Sequence, residues 1–260
     1  MEFECIILEK MAEVATLKLN RPKVLNALNR RMWLDLDAAL DDVQQDSKLK
    51  VLLVTGEGKA FSTGDDPADL QGQHPAYNRR YLVDRQRICR RIIRFEKPTI
   101  AAVNGYALGS GFELAVACDI RISADEAQIG LPEARTISTL TGGASRILQA
   151  LIGPGKAFEL LFTGDYIDGR EAERIGLVNR SVPLKDLMEE ATGLAAKIAA
   201  KPSGALRIIK KGQLMAQEPI SLEALLDYEI EARLACVAAR EGEEIPVDFE
   251  SRKKTSSPET

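Results

Sequence analysis

KPTIAAVNGYALGSGFELAVACDIRISADEAQIGLPE, residues 97–133, opens with TIAAVNG, an unbroken apolar run closed by glycine. That is the pattern of a strand buried on both faces. Gly109, Ser110 and Gly111 follow and open a helix through Phe112, Leu114, Ala115, Val116, Ala117 and Cys118. This helix is apolar nearly all round, as a buried helix reads. DIRISADEAQIG then returns to the strand pattern. Upstream the same alternation holds. CIILEK and EVATLKL read as two short strands separated by a turn, and Asn29 can cap a helix with Met32, Trp33, Leu36, Ala39, Leu40 and Val43 on one face. VLLVTG is the next buried strand, GEGKAFSTGDDP a glycine-rich polar loop at its carboxyl end, and a long helix runs from about Ala76 to Phe95. Repeated β-then-α units of this kind predict an α/β fold with right-handed crossovers.

Downstream of Pro183 the strand signals stop. Three helical patterns remain, Leu184 to Ala200, Ser203 to Ala216 and Ser221 to Val237. In the last, Ser221 is the N-cap, and Leu222, Leu226, Ile230 and Leu234 follow at four-residue steps. The expected organisation is an α/β core over residues 1–195 and a helical region over 196–260 that caps the core and makes subunit contacts. The terminal RKKTSSPET is charged and small and is expected to fray.

Composition narrows the chemistry. The 260 residues are 45 % hydrophobic and 28 % charged, with a net charge of −4, so no global field favours nucleic acid. Arg79, Arg80, Arg85, Arg87, Arg90 and Arg91 form a local basic run that alternates with apolar residues at helical spacing, and it reads first as a solvated helix face. Cys5, Cys89, Cys118 and Cys236 are scattered without a C-x-x-C pair, which predicts neither a zinc site nor a disulfide framework. MEFECIILEK has no cationic region before an apolar run, and no stretch approaches the roughly 20 apolar residues of a membrane helix. A cytoplasmic protein with no membrane, metal or nucleic-acid partner is expected. The single histidine, His74, sits in the polar loop QGQHP, so acid–base chemistry falls to carboxylates.

Two carboxylates stand out. Glu113 is the one charge in the apolar helix, where desolvation penalises ionisation unless the group is paired or in use. Its structural partner, if it has one, would be an arginine such as Arg121 or Arg146. Glu133 lies in AQIGLPEAR, where a strand gives way to a loop, a place where catalytic groups concentrate and where surface glutamates are common as well. Two backbone sites accompany them. The amides at Gly109–Ser110 begin a helix and face outward, a setting suited to a developing oxyanion. In GKAFSTGDDP, Gly64 permits an unusual backbone angle and Asp66-Pro67 reads as an N-cap with proline at the first helical position, leaving the amide of Asp65 outward.

On these residues the chain resembles the enoyl-CoA hydratase/isomerase (crotonase) superfamily over about residues 3 to 183. The matching stretches are LNRPKVLNALN, VLLVTGEGKAFSTGDD, residues 97–133 and LLFTGDYIDGREAERIGLVNRSVP. The resemblance implies a spiral of repeated ββα units with C-terminal helices, assembled as a homotrimer or homohexamer. It implies an oxyanion hole from the amides of Asp65 and Ser110. It also implies an acyl-CoA site lined by Lys23, Leu25, Ala27, Ala60, Ser62, Gly64, Asp66, Gly109, Thr139 and Leu140. Glu113 and Glu133 match the two glutamates that handle water and proton in the hydratases. The implied reaction is addition of water to a 2-enoyl-CoA, or its reverse, with no cofactor beyond the CoA of the substrate. A Δ3,Δ2-enoyl-CoA isomerase, an acyl-CoA decarboxylase or thioesterase, and a non-catalytic binding protein of the same fold remain the alternatives.

The sequence departs from the family pattern in three places. The oxyanion loop reads Gly-Asp-Asp-Pro, and a carboxylate beside an anion-stabilising site is unfavourable unless it turns to solvent. The stretch EARTISTLTGGASR is shorter than its counterpart and lacks Pro-Gly, so Thr139, Leu140 and Thr141 are expected to reshape the acyl pocket around a cyclic or branched group. The ending EGEEIPVDFESRKK offers no recognisable lysine for the CoA phosphate.

Overall fold

A computed structural model describes residues 3–70, 75–136, 139–218 and 221–240. His74 and the C-terminal tail, on which expectations were placed above, lie outside the described residues. The chain divides into two compact units, one ending at Ala200 and the other beginning at Lys201.

In the first unit, β1 (Ile6–Met11) and β2 (Val14–Leu19) form an antiparallel hairpin, and α1 (Arg30–Gln45) follows. Asn29 caps α1 through Oδ1, which accepts from Met32 N at 2.9 Å, and Met32, Trp33, Leu36, Ala39, Leu40 and Val43 are buried on its inner face. Three ββα units come next. The first is β3 (Val51–Gly56), β4 (Ala60–Ser62), α2 (Pro67–Leu70) and α3 (Pro75–Ile93). The second is β5 (Thr99–Val103), β6 (Tyr106–Leu108) and α4 (Ser110–Ala117), and the third β7 (Ile120–Ala124), β8 (Ile129–Gly130), α5 (Glu133–Thr136) and α6 (Ala144–Thr163). β9 (Tyr166–Ile167), α7 (Gly169–Arg174), β10 (Arg180–Val182) and α8 (Leu184–Ala199) complete the unit.

The first strand of each repeat joins a six-stranded sheet in the order β1-β2-β3-β5-β7-β10, and the second joins a four-stranded sheet, β4-β6-β8-β9. Each repeat therefore advances one place in both sheets, which makes the chain a spiral of ββα turns. The inner strands β3 and β5 are buried along their whole length, as their uninterrupted apolar sequences require. GEGKAFSTGDDP is not wholly a loop, because Ala60–Ser62 pairs with β6. α8 lies on β3, β5 and β7 through Leu187, Ala191, Ala195 and Ala199. The division thus falls after this helix, five residues beyond the expected boundary, because its small-residue face is needed to cover the sheet.

The second unit is a helix pair, α9 (Ser203–Ala216) and α10 (Leu222–Arg240). Ile208, Tyr228 and Ala232 pack between them, and the Tyr228 hydroxyl donates to Ile208 O at 2.8 Å. Ser221 Oγ accepts from Ala224 N at 3.1 Å, the cap expected for α10.

Candidate active site

The two glycine loops meet beside α4. Leu28 pairs with Asp65 as an isolated parallel bridge. Leu28 N donates to Gly64 O at 2.8 Å and Asp66 N donates to Leu28 O at 3.1 Å. Since successive backbone groups of an extended strand point to opposite sides, the Asp65 N–H faces away from Leu28. Gly64 has φ +94°, and a methyl group there would lie 2.9 Å from Leu108 O and 3.4 Å from Ser110 N. The loop before Asp65 is therefore in contact with the start of α4, where the Ser110 N–H is one of the helix's unpaired donors. Gly109, the N-cap, has φ 49° and ψ −127°, a conformation that only glycine adopts readily. A methyl on Gly109 would sit 3.4 Å from Glu133 Oε1, which puts that carboxyl against the same helix start.

Glu113 is 2 % exposed and Glu133 8 %, so neither is a surface glutamate. Glu133 begins the short α5 rather than a loop. Burial pushes its carboxyl above the ordinary range; its own N–H opposes this, the charge of Glu113 adds to it, and Arg85 opposes it. Glu113 acts as an acceptor at both oxygens. Thr141 N donates to Oε1 at 2.5 Å, and the Thr141 hydroxyl donates to Oε2 at 2.8 Å.

The arginine that meets Glu113 is neither Arg121 nor Arg146 but Arg85, whose Nη2 lies 3.5 Å from Oε2. Arg121 is occupied by the carbonyls of Leu177 and Cys118 at 2.9 and 2.7 Å, and Arg146 is exposed. Arg85 is buried, which corrects its reading as part of a solvated face. Its guanidinium donates to Asp65 Oδ2 and to Thr141 Oγ1. Asp65 consequently turns inward, not to solvent, and its Oδ1 lies 3.1 Å from the Tyr81 hydroxyl. That hydroxyl also donates to Leu28 O at 2.8 Å and accepts from Trp33 Nε1 at 3.0 Å. The signal that could have found Arg85 is positional. Tyr81, Arg85, Ile88 and Ile92 are all buried, and their helical spacing marks one inward stripe with a cation in it. Elsewhere in the basic run, Arg87 and Arg91 pair with Asp37 of α1, and Arg91 also with Asp41.

The expected CoA residues divide by exposure. Lys23 and Leu25 are exposed on the 3₁₀ turn Pro22–Val24 and its left-handed exit, while Ala27 is buried. Thr63 N donates to Leu25 O at 3.1 Å, so this stretch runs beside the loop carrying Gly64 and Asp65. Asn26 fixes it by donating to Glu57 O and Ala60 O at 3.0 and 2.7 Å. Ala60 and Ser62 are fully buried. Ser62 Oγ donates to Asn26 O at 2.8 Å and accepts from Gly64 N at 3.2 Å, which shapes the loop from behind. Asp66 pairs with Arg21 at 2.8 Å. Thr139 is exposed and Leu140 half-buried against the core. Among the described residues, no three His, Cys, Asp or Glu side chains are placed to hold a metal ion, and no helix is long and apolar enough to cross a membrane.

A family model described as enoyl-CoA hydratase/isomerase matches residues 9–254. A crotonyl-CoA hydratase of Syntrophomonas wolfei is 38% identical over 257 residues, covering 98% of both chains. A short-chain-enoyl-CoA hydratase of Clostridium acetobutylicum is 35% identical over 98% of this chain and 97% of that one. The crystal structure of an enoyl-CoA hydratase from Bacillus anthracis superposes with a TM-score of 0.85 at 31% identity, covering 94% of this chain and 98% of the other. The two sheets, the ββα spiral and the glycine loops at α4 are thus those of a crotonase fold. The chain belongs to the enoyl-CoA hydratase/isomerase family.

Proposed function

We propose that the protein adds water to a 2-enoyl-CoA thioester, with the amides of Asp65 and Ser110 receiving the thioester oxygen. The observation that carries this reading is the contrast between two buried carboxyls beside one helix start. Glu113 is held as an acceptor by Thr141 and Arg85. Glu133 is shifted by burial toward its protonated form. A carboxyl held as an acceptor at both oxygens and a second one that burial favours in its protonated form are suited to serve as base and acid in one step. Glu113 takes a proton from water as the water oxygen bonds to C3, and the C2–C3 π electrons move onto the thioester oxygen. Glu133 then delivers its proton to C2 as the enolate collapses. The sum is one water added, and the proton left on Glu113 returns to Glu133 by exchange. Each amide aimed at the enolate oxygen contributes about 3–4 kcal/mol to the transition state.

Crotonyl-CoA and short-chain substrates of the relatives make a short linear 2-enoyl-CoA the first to test. The CoA moiety would lie along Lys23, Leu25 and Ala27 and the loop from Ala60 to Asp66, with Gly109, Thr139 and Leu140 toward the acyl group. No further cofactor enters this chemistry. A homotrimer or homohexamer in the cytoplasm completes the reading.

The test is mass spectrometry of linear, branched and cyclic enoyl-CoAs incubated with the protein in ¹⁸O-labelled water. Labelled adduct on one class supports the reading, and E113Q and E133Q should each lower kcat by about 10²–10⁴-fold. CoA binding without adduct on any member would discard it in favour of isomerase, decarboxylase or thioesterase substrates. Full activity of both variants would remove the glutamates from their roles.

A further inference from the structure

A carboxylate next to an oxyanion hole opposes the charge that develops there. This chain has two in the loop that carries the proposed oxyanion amide. Asp66 is drawn aside by Arg21. Asp65 points inward to a guanidinium whose side chain is only 5% exposed. The same guanidinium reaches Thr141 Oγ1 and Glu113, so it joins the loop, α4 and the segment before α6. The titratable groups around it are Asp65 from the loop, Glu113 from α4, Tyr81 and Cys89 from its own helix, and Glu133 from α5, whose carboxyl senses its charge. Among the described residues, Arg85 thus stands as one cation among the carboxyls of Asp65, Glu113 and Glu133.

We infer that Arg85 is a positioning residue for the reaction: it cancels the charge of Asp65 beside the thioester oxygen and ties the Asp65 loop to the carboxylate of Glu113. The inference rests on the hydratase reading for its chemistry. It accounts for an acidic residue at a position where the family pattern has a small one. Both terminal nitrogens of Arg85 donate to protein oxygens, which is the geometry of a group that holds other residues in place. Asp65 and Arg85 therefore function as a neutral pair, and losing the cation does more harm than losing both.

The experiment compares wild type, R85Q, R85K, D65N and R85Q/D65N as full-length protein. Hydration of crotonoyl-CoA gives kcat and KM. Binding of acetoacetyl-CoA, whose enolate absorbs in the near ultraviolet, against butyryl-CoA reads enolate stabilisation without turnover. R85Q should lower kcat by about 100-fold with KM within about threefold, and should weaken acetoacetyl-CoA while sparing butyryl-CoA. D65N added to R85Q should restore about tenfold of the loss, and R85K, which keeps the charge, should fall between. Equal weakening of both thioesters, or no restoration by D65N, overturns the inference and leaves Arg85 a packing residue. If R85Q does not fold, R85Q/D65N is read against D65N, and a gap as large as about 100-fold overturns it as well. Wild-type protein that binds the enolate but hydrates no enoyl-CoA sinks the hydratase reading, while the two-thioester ratio still decides the role of Arg85.

Discussion

Glu133 shows how the demands of a site oppose those of stability. Its carboxyl is buried, and burial holds its proton more tightly in the folded chain than in the unfolded one. The sign follows from linkage. A folded-state value above the ordinary 4.5 means the stabilising contribution is complete below about 4.5 and is lost as pH rises through the folded value. E133Q keeps the shape without the ionisation, so it should be more stable than wild type at pH 8, with the difference vanishing below pH 4.5. Urea melts across that range check this, and equal slopes with pH for the two proteins would contradict it. At this scale the sequence was partly legible. Glu113 and Glu133 could be picked out because one is the lone charge in an apolar helix and the other follows the end of a strand. Arg85 was harder to pick out, because it sits among five other arginines and only its place in the stripe of Tyr81, Ile88 and Ile92 separates it. Asp65 was misjudged for the same reason. Without knowledge of Arg85, solvent was its natural destination.

The elements that carry the site are short, and their junctions matter more than their lengths. β4, β6 and β8 span three, three and two residues. Such strands are too brief to show periodicity, and they exist because the longer strand before each delivers them to a second sheet. The long strands β3 and β5 and the helices α1, α8, α9 and α10 were legible from composition and caps, since each has a sustained apolar pattern. Gly109 is the junction between β6 and α4. Its backbone angles exclude a β-carbon at low energy, and its neighbour across the site is Glu133. G109A should therefore destabilise the fold by about 1–3 kcal/mol. It should also lower kcat by a larger factor than KM rises, because it moves the Ser110 amide and crowds Glu133 together. Thermal denaturation and steady-state kinetics on the same preparation test the two halves of this prediction. A stable G109A with full kcat would mean that the start of α4 does not hold the oxyanion. By contrast, N29A removes the α1 cap and should cost about 1 kcal/mol of stability in thermal denaturation.

At the scale of the whole molecule, composition excluded more than it identified. A net charge of −4 argued against nucleic acid, and within the arginine run Arg85 is buried while Arg87 and Arg91 pair with α1. Assembly is the property least legible in one chain, because an interface residue reads as an exposed apolar one. On α6, Phe158 and Phe162 stack with ring centroids 5.3 Å apart while remaining 47% and 74% exposed. Adjacent aromatic rings left in water on one helix face are a signature of a surface that another protein covers. A second copy of this chain is the occupant that the proposed trimer supplies, and in a closed ring each such contact is made once per subunit. Burying the two rings would contribute about 2–3 kcal/mol per contact once their existing burial is allowed for. This is less than the cost of association, so the rings strengthen an interface rather than make one. Light scattering should accordingly give wild type a mass three or six times the 28.5 kDa of the chain. F158S/F162S should weaken each contact by about 30–200-fold in Kd, so that its mass falls on dilution while wild type holds. A wild-type mass of one chain would remove the proposed assembly. An assembled double variant that resists dilution as wild type does would move the interface away from α6.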